Sequence, residues 1–142
     1  MVTPEKLVEL AKEAMTRAYA PYSGFQVGAA LLCADGSVYQ GCNIENASYG
    51  PTNCAERTAF FKAVYDGKRE FAAIAVVGGK QGEPDGTAFP CGVCRQVMAE
   101  FCNADFRILL GTPESFRVCT LGDLLPLSFN LKENEESAHE NV

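Results

Sequence analysis

Two short stretches set the terms on which this chain can fold: Thr52-Asn53-Cys54-Ala55-Glu56-Arg57 and Pro90-Cys91-Gly92-Val93-Cys94-Arg95. Each places thiols where the flanking residues predict the first turn of a helix. The first adds a carboxylate two residues after its thiol. Cysteines three apart on a helical turn lie on one side, so Cys91 and Cys94 can share an ion. If Cys54 joins them, two helix starts far apart in sequence must meet at one point. Three thiolates can hold one Zn²⁺ and leave its fourth tetrahedral position open, which separates a catalytic site from a closed structural one.

Such a site must manage its charge. Zn²⁺ with three thiolates carries a net negative charge, which opposes ionisation of a bound water. Two helix N-termini aimed at the sulfurs would each contribute about half a positive charge. Arg57 and Arg95 follow the carboxylate and the last thiol, where guanidinium groups could hydrogen-bond the thiolates. For Arg95 an exposed helix charge is an equal reading.

Each piece taken singly has a plainer account. Cys91-Gly92-Val93-Cys94 also suits a redox pair opening a helix after a strand. With Asn53 as N-cap, Glu56 would be the third helical residue and could close a capping box. Cys54 alone reads as a small buried apolar residue. Together, Cys-x-Glu on one helix start and Pro-Cys-x-x-Cys on another form the pattern of zinc nucleobase deaminases in its three-cysteine form. Cys33, Cys42, Cys102 and Cys119 lack this placement and read as core filler. A non-catalytic zinc module would need one of them as a fourth ligand.

The rest of the composition narrows the class. At 142 residues the chain is one domain, large enough to bury a core without disulfide staples. Its net charge of −6 supplies no basic footprint, so no nucleic-acid partner is expected. The first residues show no secretory signal. The longest apolar run, Phe71 to Gly78, is too short to span a bilayer, so no membrane role is expected. The seven cysteines are an odd number, which excludes complete pairing and suits a reducing cytoplasm. His139 is the only histidine and lies in the acidic tail, which removes Ser–His and Cys–His hydrolases.

The pattern predicts a helix from Pro4, capped by Thr3 and ending before Pro21. Phe25 to Ala34 reads as a strand apolar on both faces, with Gly28 admitting a close neighbour. Asp35-Gly36 signals a two-residue hairpin turn returning through Ser37 to Cys42. A polar loop then leads to a helix over Ala55 to Tyr65. Phe71 to Val77 reads as a central strand, and Gly78 to Phe89 as a long loop of the kind that is often functional. Gly92 to Cys102 reads as a third helix, followed by strands Phe106 to Leu110 and Phe116 to Cys119 and a short turn capped by Thr120. This order implies an α/β fold, a three-layer α-β-α sandwich on a mixed sheet of about five strands. Residues 1–129 form the domain, and the polar tail 130–142 is expected to be disordered.

Over residues up to Phe129 the chain resembles the small, three-cysteine, homotetrameric cytidine deaminases. The resemblance rests on Tyr19-Ala20-Pro21-Tyr22-Ser23 with Phe25-Gln26-Val27-Gly28-Ala29-Ala30-Leu31, on Gly41-Cys42-Asn43-Ile44-Glu45-Asn46-Ala47, on both cysteine motifs, and on Leu125-Pro126-Leu127-Ser128-Phe129. It implies zinc, one ion per subunit, on Cys54, Cys91 and Cys94, with Glu56 as proton shuttle and Arg57 neutralising the thiolates. It implies further that Asn43 and Glu45 bind the ribose 3′-hydroxyl, Phe25 packs on the nucleoside, and the Ala55 N–H meets the base carbonyl. Tyr49 and Phe129 match aromatics lent to a neighbouring subunit's site in a homotetramer. The implied reaction is hydrolytic deamination of cytidine and 2′-deoxycytidine in pyrimidine salvage. A deaminase of aminated nucleoside antibiotics would share the cysteine motifs. Asn43 and Glu45 with the paired aromatics favour ordinary nucleosides.

Overall fold

A computed structural model of the protein describes residues 1–131. The tail expected beyond Phe129 lies outside the described residues from 132 onward. The elements run α1 (Pro4–Met15), β1 (Phe25–Cys33), β2 (Val38–Cys42), α2 (Ala55–Tyr65), β3 (Phe71–Lys80), α3 (Gly92–Phe101), β4 (Arg107–Thr112), β5 (Ser115–Thr120) and α4 (Leu121–Leu124). The five strands form one mixed sheet in the order β2-β1-β3-β4-β5. Only β3 and β4 pair in parallel, with α3 as their connection. The others pair antiparallel.

The alternation of side chains along β1 and β3 assigns the helices to layers. Ala29, Leu31, Ile74 and Val76 face one core with Phe60 of α2 and Met98 of α3. Ala30, Leu32, Ala75 and Val77 face the opposite core with Leu7, Val8, Ala11 and Met15 of α1. The result is the expected three-layer α-β-α sandwich, with β3 buried on both faces because it is apolar at every position of its middle.

Two glycines bring helices against the sheet. A Cβ on Gly28 would stand 2.0 Å from Ala11 O and 2.5 Å from Met15 N, so α1 is the close neighbour that this glycine admits. A Cβ on Gly41 would stand 2.4 Å from Ala55 O and 2.5 Å from Ala59 N. Gly41 therefore sets how near α2 lies to β2. Because both opposing groups are backbone, Gly41→Ala is expected to destabilise the fold by about 1–3 kcal/mol. Gly50→Ala, with nothing within 4 Å of its added carbon, serves as the control in the same denaturant titration.

Most expected boundaries fall within one or two residues of those observed, and three departures have a clear physical cause. α1 ends at Met15, not just before Pro21: Thr16 Oγ1 donates to Glu13 O, and Arg17 N and Ala18 N make tighter i−3 bonds. The chain leaves the helix there because Tyr19 pairs with the Asn43–Glu45 backbone. The hairpin turn has three residues, not two: Gly36 N donates to Cys33 O, Cys33 N to Ser37 O, and Gly36 sits at φ 93°. That is a type I turn closed by a left-handed glycine, braced by Asp35 Oδ1 accepting from Ser37 N and Oγ. β3 continues to Lys80, since Gly78, Gly79 and Lys80 stay in register with Val27, Gln26 and Phe25.

Candidate metal centre and pocket

The carboxyl ends of β2 and β3 and the start of β1 lie at one end of the sheet, where α2 and α3 also begin. Cys54 is the N-cap of α2 and Cys91 the N-cap of α3, and neither uses its side chain as a cap. Both thiols are thereby free of the helix and sit beside the positive ends of its backbone. Cys94 is one turn into α3 and buried.

The Sγ atoms of Cys54, Cys91 and Cys94 all lie within 4.8 Å of one another. Cys54 Sγ is 3.8 Å from Cys91 Sγ, and Cys91 Sγ is 3.6 Å from Cys94 Sγ. A tetrahedron with Zn–S bonds of ~2.3 Å has edges of ~3.8 Å, so the spacing suits zinc with one corner left over. Among the described residues no other group of thiols, imidazoles or carboxylates could hold a metal. Cys33, Cys42, Cys102 and Cys119 lie apart from the cluster. Cys42 donates to Arg17 O and Cys119 to Ile108 O. Burial raises the Cys102 thiol to about 12. No fourth protein thiol is therefore in place for a closed structural site.

Charge around the sulfurs follows from contact. A hydrogen bond shared with Cys94 brings the Cys54 thiol down to about 5, and Arg57 adds to the effect against burial. Cys94 moves the opposite way, raised by that same bond and then by burial. Arg57 Nη2 lies 3.3 Å from Cys54 Sγ. Its Nε is buried with no hydrogen-bond partner among the described residues. Burial works against the Arg57 charge, but the two sulfurs outweigh it and hold the guanidinium ionised.

Among the described residues Glu56 is the one buried charged side chain, 4% exposed. Because Cys54 is the N-cap, Glu56 is the second helical residue and not the third, so it closes no capping box. Asn53, the expected cap, instead donates to Thr58 Oγ1. Burial pushes the Glu56 carboxyl up to about 7, its own backbone N–H opposing and the Cys54 charge reinforcing. A carboxyl in that range both takes and returns a proton near neutrality.

A cavity of about 230 Å³ opens beside the thiols and is lined by Cys54, Ala55, Glu56 and Cys91 together with Phe25, Asn43 and Glu45. Asn43 and Glu45 are already anchored. Asn43 accepts from Val27 N and donates to Phe25 O, both at 2.8 Å. Glu45 accepts from the Tyr22 and Ser23 backbone and from Ser23 Oγ. The Ser23 hydroxyl, against desolvation, holds its carboxyl below the usual range. Each keeps spare capacity: one N–H on Asn43, and roughly one of the four lone-pair sites on Glu45.

Tyr49 and Phe129 do not line this cavity in their own chain. Tyr49 is 87% exposed and borders a neighbouring depression with Tyr22 and Glu45. Phe129 is 61% exposed, and its carbonyl accepts from Gln96 Nε2. Arg95 does not touch the thiols. Its guanidinium donates to Pro90 O and Leu124 O. Thr87, Ala88 and Phe89 also line the cavity and escaped sequence reasoning. The available signal was a long loop ending just before Pro90-Cys91. The placement of Arg117 over the Phe89 ring, 5.6 Å from its centre, has no local signature.

Three thiols at paired helix starts, spaced to share one metal ion, with a buried carboxyl beside them and a cavity in front, define an α/β site suited to a metal ion. Residues 1–110 match the model of the cytidine and deoxycytidylate deaminase zinc-binding region. The cytidine deaminase of Sporosarcina psychrophila is 50% identical over 137 residues, covering 96% of this chain and 98% of that one. That of Halalkalibacterium halodurans is 53% identical over 131 residues, covering 91% and 96%. The solved cytidine deaminase of Burkholderia pseudomallei superposes with a TM-score of 0.82 at 53% identity, covering 90% of this chain and 100% of that one. The chain belongs to the cytidine deaminase family and is an enzyme of that type.

Proposed function

We propose that the protein hydrolyses cytidine and 2′-deoxycytidine to the corresponding uridines and ammonia, in pyrimidine salvage in the cytoplasm. The juxtaposition of the three-thiol cluster with Glu56 beside a cavity that Asn43 and Glu45 also line carries this reading. Cys54, Cys91 and Cys94 would hold one Zn²⁺ per subunit, which when bound supplies Lewis acidity that eases loss of a proton from water. Glu56 takes that proton and delivers it to N3 of the base as the hydroxyl adds at C4, then takes the remaining proton of that hydroxyl and passes it to the departing amine as the C4–N bond breaks. The Ala55 N–H, at a helix start without an intrahelical acceptor, meets the base carbonyl. Phe25 packs on the flat ring. Asn43 and Glu45 bind the ribose hydroxyl, and the ionised Glu45 disfavours a phosphate.

The cavity is small beside the roughly 300–1,000 Å³ of typical ligand sites, which suits a single nucleoside and not a polymer strand. Residues 1–129 carry the activity as one domain. Tyr49 and Phe129, exposed in their own chain, complete a neighbouring subunit's site in a homotetramer. Cytidine incubated with the purified protein is expected to lose its absorbance as uridine forms. A strong chelator should abolish this, and Zn²⁺ should restore it. Unchanged cytidine with zinc-loaded protein, alongside turnover of an aminated nucleoside antibiotic, would overturn the substrate assignment.

A further inference from the structure

The last described segment of the chain lies along α3 and is tied to it by side-chain-to-backbone hydrogen bonds. Gln96 Nε2 donates to Phe129 O at 2.9 Å, and Asn130 Nδ2 donates to Ala99 O at 3.2 Å. Arg95 Nη1 donates to Leu124 O at 2.7 Å. Arg95 also reaches the metal-centre side, where its Nε donates to Pro90 O at 2.8 Å.

That second bond matters because of which peptide it holds. The Pro90 carbonyl belongs to the peptide unit whose nitrogen is that of Cys91. Its direction therefore governs how Cys91 enters α3 and where its thiol points. Cys91 is the exposed member of the three-thiol cluster, and its side chain caps nothing. Pro90 fixes one side of the joint through its buried ring. Arg95 N closes the first turn on Cys91 O at 2.9 Å, so its backbone and its side chain grip the same joint.

The other end of the clasp is equally specific. Leu124 O ends α4, a helix of four residues whose last carbonyls have no donor within the helix. Among the described residues Arg95 forms no ion pair. Its charge is committed to two carbonyls through short, charge-assisted bonds. A lysine, with one compact ammonium, could not reproduce that fork.

We propose that Arg95 is a positioning residue of the metal centre, orienting the Cys91 peptide through Pro90 O while anchoring that joint to the C-terminal segment through Leu124 O. The proposal rests on the zinc reading of Cys54, Cys91 and Cys94. Without the guanidinium, Pro90 O turns to water and the Cys91 peptide gains freedom, so the thiol leaves the ion more often.

The test compares wild type, Arg95→Met, Arg95→Lys and Gln96→Ala. Zinc release to a chromogenic chelator and the thiolate charge-transfer absorbance of the Co²⁺-loaded protein are followed. Arg95→Met is expected to release zinc at least ~10-fold faster and to show a weakened thiolate band, with Arg95→Lys in between. Gln96→Ala, which loosens only the C-terminal side, is expected to release zinc at the wild-type rate. Wild-type release and band in Arg95→Met, even with a lowered melting temperature, would overturn the proposal. So would equal acceleration in Gln96→Ala. If Arg95→Met does not fold, the Arg95→Lys release rate decides: faster than wild type supports the role, and unchanged refutes it. A wild-type protein with no thiolate band would instead overturn the zinc reading on which the proposal stands.

Discussion

Replacing Glu56 by Gln is expected to lower kcat by about 10³–10⁴-fold while zinc content and fold are retained. The side chain is 4% exposed at the second position of α2, and burial holds its carboxyl near 7. At neutral pH such a group exchanges a proton readily in both directions, which the reaction requires more than once per turnover. Glutamine keeps the shape and hydrogen-bonding reach but cannot carry a proton. Because the substitution removes a buried ionisable group and not a packing contact, thermal stability should hold or rise. Turnover is measured with metal content determined on the same sample. Metal-loaded Glu56→Gln with substantial residual deamination would sink the proton-carrier role.

The second large effect is on stability. Phe60→Ala is expected to destabilise the protein by about 3–5 kcal/mol, lowering the melting temperature by roughly 10 °C or more. Phe60 is fully buried. Its ring centre stands 5.1 Å from Phe71, 6.1 Å from Phe101 and 6.1 Å from Phe106. One side chain thus joins α2 to β3, α3 and the approach to β4. Truncation leaves a cavity that these rigid rings cannot close, and removes aromatic pairs contributing roughly 0.5–1.5 kcal/mol each. The neighbouring Phe61, 50% exposed, transfers less surface from water, so Phe61→Ala should cost distinctly less. Equal losses for the two variants in a calorimetric scan would contradict this account of the core. Because α2 carries Cys54 and Glu56 at its start, Phe60→Ala should also weaken zinc retention as the protein is warmed.

Much of the fold was legible in the residues. β3 is apolar through its middle and had to be covered on both faces. Gly28 announced a close neighbour, which is α1. The two cysteine stretches stood at helix starts, and the structure brings their three thiols close enough to share one ion. Elsewhere local pattern misled. The Asp35-Gly36 pair suggested a two-residue turn, but the β1–β2 register leaves three residues to span. The helical pattern through Ala18 gave way at Met15, where pairing of Tyr19 with the Asn43–Glu45 backbone outweighs another helical turn. Glu56 could have closed a capping box until Cys54, and not Asn53, proved to be the N-cap.

What the residues offered by themselves was a candidate set: three thiols and a carboxylate at two expected helix starts, with a single histidine far along the chain. Local spacing suffices for this, because helix starts, strand alternation and ligand type are properties of short segments. Only the tertiary structure decided which neighbours those groups would have. It chose Phe60 over the adjacent Phe61 for the core, placed Thr87 and Phe89 in the cavity wall, and directed Arg95 to two carbonyls and away from the sulfurs. Those choices depend on contacts between segments distant in the chain, and no local pattern encodes them. The two helix starts that constrain the chain are therefore legible one at a time. The sheet and the packing across it bring them to a single point.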